Sequence, residues 1–219
     1  MKFGIAGTSI WQQNQALIEH LTLDRDTVVV ELQCLKMALG ATELICLSTC
    51  NRVEFLYVTD DKSEEGILHR LIDYFFCGDT MTNFSPNDFY HFTGKDAITH
   101  LFRTTASLES LVVGETQIAS QFKDAYQLAV DNSLCGHILT NLSEEALKVS
   151  KKVRRETSIG EGAVSMASLA VKSLISKLDP ETAEPVMALV GSGEMTVKLA
   201  RYIKKTSVGQ LLFVTREAV

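Results

Sequence analysis

Residues 43–59 read Glu-Leu-Ile-Cys-Leu-Ser-Thr-Cys-Asn-Arg-Val-Glu-Phe-Leu-Tyr-Val-Thr, two apolar runs broken by a short polar turn. Runs rich in β-branched and aromatic residues, bounded by turn formers, are strand signals. Residues 43–48 and 53–59 therefore read as two strands joined at Cys50. A thiol on a sharp turn, flanked by the Thr49 hydroxyl, the Asn51 amide and the fixed Arg52 cation, is a candidate nucleophile. Arg52 would hold a carboxylate and lower the thiol pKa, and the thiolate is the form that attacks a carbonyl carbon. The ordinary alternative is a small apolar residue that closes a hairpin.

Working outward from the hairpin, residues 2–8 read as a strand. Residues 24–39 read as a helix with Val28, Leu32, Leu35 and Leu39 on one face. Residues 64–76 give a second helix carrying Ile67, Leu71 and Phe75, and residues 89–92 a fourth strand. The order β-α-β-β-α-β is that of a ferredoxin-like α+β unit, one sheet with two helices on one face. From Gly94 the pattern turns helical, over residues 95–107, 115–131, 138–155 and 162–178, with a break at Val113-Gly114. Asp179-Pro180 closes that segment and Pro185 opens another. There a strand at 186–190 runs into Gly191-Ser192-Gly193-Glu194-Met195-Thr196, a helix to about residue 204 and a strand at 211–215. That is the opening of a Rossmann-type unit, here truncated, since two strands and one helix cannot bury both faces of a parallel sheet.

Composition narrows the class. With 46% hydrophobic and 22% charged residues in 219, the chain is expected to be a globular protein with a real core. No apolar run is long enough for a bilayer, and no leader pattern opens the chain, so no membrane partner is expected. Five cysteines without framework spacing point to free thiols in a reducing compartment, the cytoplasm. A net charge of −6 disfavours non-specific nucleic-acid binding, so a nucleic-acid partner must meet a local basic patch. Lys148, Lys151, Lys152 and Arg155 form one, as a helical stripe opposite Leu142, Ala146, Val149 and Val153.

Gly191-Ser192-Gly193 follows a strand and opens a helix, where such a turn cradles a pyrophosphate on backbone N–H groups. Thr196 replaces the third glycine of the common fingerprint. At the end of the next strand Thr215-Arg216 suits a 2′-phosphate, which favours NADP over NAD; Glu217 stands one place late for the ribose role. His100, on an apolar helix, and His91, in a strand, compete for proton transfer. Ser110, Gly114, Glu115, Gln117 and Gln121 cluster at a helix start and read either as a shared site or as an acidic first turn. Cys34, Cys46, Cys77 and Cys135 read as core thiols, and no second ligand pair supports a zinc site.

Together the segments resemble glutamyl-tRNA reductase. The resemblance rests on residues 47–54, on His100-Leu101-Phe102-Arg103, on residues 108–118, on residues 152–160 and 162–168, and on Gly191–Met195. It implies an NADPH-dependent reduction of glutamyl-tRNA to glutamate-1-semialdehyde through a cysteine thioester, at the start of tetrapyrrole (porphyrin) biosynthesis. By resemblance Cys50 is the nucleophile and His100 the catalytic histidine. Thr49, Asn51 and Arg52 shape a glutamate pocket that Ser110, Glu115, Thr116, Gln117 and Gln121 line. Gly191, Ser192, Gly193, Glu194, Met195 and Thr196 match the NADPH phosphate loop. The implied division is a catalytic domain at 1–160, a connecting helix at 161–180 and an incomplete NADPH-binding domain at 181–219, without the family's C-terminal dimerisation domain. Implied partners are glutamyl-tRNA and a downstream aminomutase, with a homodimeric parent. Three places depart from the family pattern: Ser9-Ile10-Trp11-Gln12 stands for the usual Asn-His-Lys-Thr, Thr116 for Pro, and Thr215 for Asn. The competing reading is a tRNA-binding or regulatory module without turnover; a generic cysteine hydrolase leaves the Gly191 turn unexplained.

Overall fold

The computed structural model describes residues 1–60, 64–76, 84–160, 166–178, 185–206 and 208–216. The chain divides into two compact units, Met1–Gly160 and Glu161–Val219. In the first, strands β1 (Lys2–Ser9), β2 (Ala41–Thr49), β3 (Arg52–Thr59) and β4 (Tyr90–Thr93) form one antiparallel sheet in the order β2-β3-β1-β4. Helices α1 (Gln15–Leu21) and α2 (Val28–Leu39) lie between β1 and β2, and α3 (Glu64–Phe76) between β3 and β4. Helices α4 (Gly94–Thr105), α5 (Gln117–Asp131) and α6 (His137–Glu156) complete the unit.

The helix expected at 24–39 begins only at Val28, and an unexpected helix, Gln15–Leu21, precedes it. Asn14 starts α1, its Oδ1 accepting from the Leu17 N–H at 3.1 Å, and Leu17, Ile18 and Leu21 bury its inner face. Before the second, the Asp24 carboxylate accepts from the Asp26 N–H at 2.8 Å, a local turn that competes with helix and delays α2 to Val28.

Every residue of β3 is buried, and every residue of β1 but Lys2, so both faces of the sheet are covered rather than one. Helices from both halves of the unit pack on it: α1 on β1 and β3, α2 on β2, α4 on β1 and β4, α5 and α6 on β2. Glu43, buried on β2, accepts from the Ile138 N–H at 3.1 Å and the Leu139 N–H at 2.7 Å, and so caps α6. The buried line of α6 is Leu139, Ser143, Ala146 and Ser150, offset from the apolar stripe expected. Small residues let α4 approach closely, and Ser150 Oγ donates to the Thr105 carbonyl at 2.8 Å.

The second unit holds α7 (Met166–Ile175), β5 (Val186–Val190), α8 (Glu194–Ile203) and β6 (Gln210–Val214), with β5 and β6 parallel. Val171, Leu189 and Ile203 form its small core. Residues 162–165, the start of the helix expected at 162–178, lie outside the described residues. Among the described residues no helix is long and apolar enough to cross a membrane.

Candidate active site

The β2–β3 hairpin turns over Cys50 and Asn51, with Thr49 paired to Arg52 across it. Thr49 Oγ1 accepts the Asn51 and Arg52 N–H groups, both at 3.2 Å, which closes the turn without glycine. Cys50 is exposed at its tip. Arg52, two residues on, is buried on the covered face of the strand. Its Nη1 donates to Glu54 Oε1 at 2.8 Å and to Thr104 Oγ1 at 3.2 Å, and its Nη2 donates to the Glu109 carbonyl.

Strand alternation explains the rest of the constellation. Glu54 and Tyr90 both stand opposite Gly7, one from each neighbouring strand, so their side chains share a face with a gap between them. Across that gap the Tyr90 hydroxyl reaches Glu54 Oε1 at 2.5 Å. A Cβ on Gly7 would also come within 2.3 Å of the Val53 carbonyl oxygen, so no other residue fits there. From α4, His100 Nε2 meets the same Oε1 at 2.9 Å, and its ring packs on Phe92 (centroids 4.7 Å apart) and on Tyr90 (5.3 Å). His91 points to the opposite face, where its Nε2 is 2.7 Å from the Tyr57 hydroxyl.

One carboxylate oxygen thus gathers Arg52, Tyr90 and His100. Burial opposes charge on Glu54, but the His100 and Tyr90 hydrogen bonds and the Arg52 and His100 charges outweigh it and hold the carboxyl down at about 2. The same burial and the Glu54 charge push the Tyr90 hydroxyl well above its ordinary range. An ionised carboxylate only accepts, so His100 Nε2 carries the hydrogen of that bond, and Nδ1 is the nitrogen left over. Burial, then the Glu54 charge, push the Cys46 thiol up to about 12, so it supplies no thiolate near neutrality. Cys34, expected in the core, is exposed; Cys46 and Cys135 are partly buried, and Cys77 lies outside the described residues.

A cavity of about 280 Å³ opens over this group, lined by Ser9, Trp11, Gln12, Arg52, Tyr90, Phe92, His100 and Glu109. Of the residues singled out from sequence it brings together Arg52 and His100. Ser110, Glu115, Thr116, Gln117 and Gln121 lie outside this lining, on the loop after α4 and the first turns of α5, with Ser110, Glu115 and Gln121 half-buried and Thr116 and Gln117 exposed. Arg154 of α6 clamps the loop, donating to the Gly114 carbonyl and to Ser107 Oγ, both at 2.8 Å, and to the Glu115 carbonyl at 3.0 Å. Glu54, Tyr90, Thr104 and Glu109 are contributors to which the sequence reading gave no role, and Trp11 stood there only as a departure from the family pattern. On the outer face of α6, Lys148 pairs with Glu145 at 2.7 Å and Arg155 with Glu156 at 2.9 Å. Lys152 lies 3.9 Å from Glu156.

In the second unit the β5–α8 turn can be tested as a nucleotide-phosphate loop. Gly191 has φ +119°, a conformation that side chains disfavour, and its N–H donates to the Val214 carbonyl at 2.8 Å. Gly193, extended at the start of α8, has nothing within 4 Å of where a Cβ would stand. An open glycine turn at a helix start, where the first N–H groups lack intrahelical acceptors, fits a phosphate. Thr215 and Arg216 follow β6, Thr215 half-buried and Arg216 exposed.

The family model described as "Glutamyl-tRNAGlu reductase, N-terminal domain" matches residues 7–157, the span that holds the sheet, the hairpin and the cavity. The chain is 36% identical over 220 residues to a glutamyl-tRNA reductase of Solibacter usitatus, covering 99% of this chain and 51% of that protein. It is 32% identical over 201 residues to the Aquifex aeolicus protein of the same name, covering 92% and 48%. The solved structure titled "Glutamyl-tRNA Reductase from Methanopyrus kandleri" matches with a TM-score of 0.63 at 28% identity, over 98% of this chain and 49% of that one. The chain belongs to the glutamyl-tRNA reductase family. It spans about half the length of the relatives it matches.

Proposed function

We propose that this chain carries out the acyl-transfer part of an NADPH-dependent reduction of glutamyl-tRNA to glutamate-1-semialdehyde, an early step of tetrapyrrole biosynthesis. One observation carries the reading: the exposed Cys50 thiol, itself outside the cavity lining, lies two residues from a buried arginine that shares a carboxylate with a histidine and lines a cavity with it. The Cys50 thiolate attacks the carbonyl carbon of the ester between glutamate and the tRNA 3′ end. The C–O bond breaks, the ribose oxygen leaves with a proton, and a thioester to Sγ remains. Arg52 offers the cavity a fixed positive charge for a substrate carboxylate, and His100 offers Nδ1 as a proton acceptor. Glu54 sets the orientation of both. A thioester keeps its carbonyl electrophilic, because sulfur donates weakly to it. Gly191–Thr196, with Thr215 and Arg216, would hold the nucleotide, which when bound supplies the hydride.

The test is glutamate release from glutamyl-tRNA without nucleotide, through thioester hydrolysis. Wild type should release free glutamate and form a covalent glutamyl-protein detectable by mass spectrometry. Cys50→Ser should do neither, and a normal adduct yield in that variant sinks the assignment. An ester left intact by wild type supports instead a tRNA-binding or regulatory module without turnover.

A further inference from the structure

The cavity over Arg52 and His100 is smaller than the roughly 300–1,000 Å³ typical of sites that enclose drug-sized ligands. That volume suits a group of amino-acyl size, which would leave an attached nucleoside at the mouth. Trp11 stands there. It lines the cavity, yet is 56% exposed. Its one polar atom is already used, since Nε1–H donates to the Glu109 carbonyl at 3.3 Å, so what it shows to solvent is ring. A large aromatic held this way, with only two side-chain torsions to fix, is a platform rather than a stray surface residue.

The segment beneath it is built to hold the ring in place. Residues Ile10–Gln12 form one 3₁₀ turn, closed at its start by Gln12 Oε1, which accepts from the Ser9 N–H at 3.0 Å and from Ser9 Oγ at 2.7 Å. The Ile10 N–H donates to the Asn51 carbonyl at 2.9 Å. The turn that presents Trp11 is therefore bonded to the turn that presents Cys50. Charge at the mouth is also compatible with a nucleotide: the Glu109 carboxylate is neutralised by Arg103 Nε at 2.5 Å, and Arg103 is itself more than half exposed.

We infer that Trp11 is a stacking site for a nucleobase, the adenine at the 3′ end of the charged tRNA, with the glutamyl group in the cavity and Arg103 beside the neighbouring phosphate. The inference rests on the acyl-transfer reading above and adds to it the recognition of the leaving nucleoside. Base–aromatic stacking is tolerant of sequence and strong enough to set the register of an acceptor end.

Trp11 is the only tryptophan of the chain, so its fluorescence reports the site directly. The probe is 3′-deoxy-3′-(L-glutamylamino)adenosine, whose amide replaces the reactive ester; the control is glutamate α-methylamide, the same acyl group without a base. The adenosine amide should quench the emission and the methylamide should not. Trp11→Ala should weaken binding of the adenosine amide, measured by calorimetry, by about 5- to 150-fold, and Trp11→Phe should restore most of it. Equal quenching by both compounds, or by neither, overturns the stacking site, as does a Trp11→Ala affinity equal to wild type. Glutamate release through Cys50 is scored separately. Release without base-dependent quenching fells the stacking site alone, whereas base-dependent quenching without release upholds it and fells the acyl-transfer reading.

Discussion

Strands β3 and β6 are made of similar residues and stand in opposite surroundings. Arg52–Thr59 is buried along its whole length, between strands on both sides and helices on both faces. Gln210–Val214, in a two-stranded parallel pair, leaves Leu212, Phe213 and Val214 between 43% and 58% exposed, and on its partner Val190 is 80% exposed. Near-continuous apolar runs are the composition of parallel strands covered on both faces. The difference teaches that an apolar strand reports the environment it is suited to, and only its neighbours decide whether it has it. The first unit supplies those neighbours from its own 160 residues; the described part of the second does so on one side.

The largest test of this contrast is a matched pair of truncations. Phe55→Ala removes a fully buried ring that packs 5.6 Å from Phe75, and should cost about 3–5 kcal/mol in urea unfolding. Phe213→Ala removes a ring that is 58% exposed, and should change stability by no more than about 0.5 kcal/mol. A comparable loss at Phe213 would break the contrast, since it requires that face of β6 to be covered in solution.

Acid sharpens the comparison next, because the covered sheet buries charge as well as apolar surface. Glu54 titrates at about 2 in the folded chain against an ordinary 4.5, so folding favours its ionised form. That contribution is fully present above pH 4.5, fades as the pH falls, and is gone once the pH has passed through about 2. Its size is about 3 kcal/mol. Unfolding free energies of wild type and Glu54→Gln, measured from pH 6 to pH 2, should converge toward the acid end; parallel curves would mean that the carboxylate is not held by its three donors.

The smallest effect belongs to the outside of the first unit. If the α6 stripe meets tRNA phosphates, the Lys148→Ala/Lys151→Ala/Lys152→Ala variant should bind glutamyl-tRNA with a flatter salt dependence. The expected change is roughly one unit of slope per lost contact, nearer about 0.7 along single strands. Unchanged slope and intercept would leave the stripe a solvated helix face, its Lys148 and Arg155 occupied by Glu145 and Glu156.

Much of this architecture was legible in the residues, and the failures have physical causes. The hairpin, the four strands and the βα turn at Gly191 stand close to where periodicity and turn formers put them. Helix α1 escaped because seven residues hold too few turns for a periodic pattern, although Asn14 before Leu17, Ile18 and Leu21 is a start signal. The buried line of α6 was misplaced because Ser143 and Ser150 lie on it, and a count of apolar residues does not see serines that pack. At the site, Cys50, Arg52 and His100 were visible as chemistry, while the carboxylate that joins two of them was not. Glu54 lies two places after Arg52 on a strand, hence on the same face, and that spacing was the available signal. Tyr90 and Trp11 needed the strand register and the Ile10–Asn51 bond, which are long-range facts.

Glu43 has a consequence for the order in which the chain can become itself. The two amide groups that its carboxylate accepts lie 95 and 96 residues further along. A nascent chain emerging from the ribosome would expose the hairpin, thiol and arginine included, well before residues 138 and 139 arrive. Until then Glu43 is an acid on a sheet edge with nothing to cap and every reason to stay hydrated. The closed unit is thus completed late, by a contact of high sequence separation, and its folding rate should be governed by that closure rather than by the hairpin's own fast zipping.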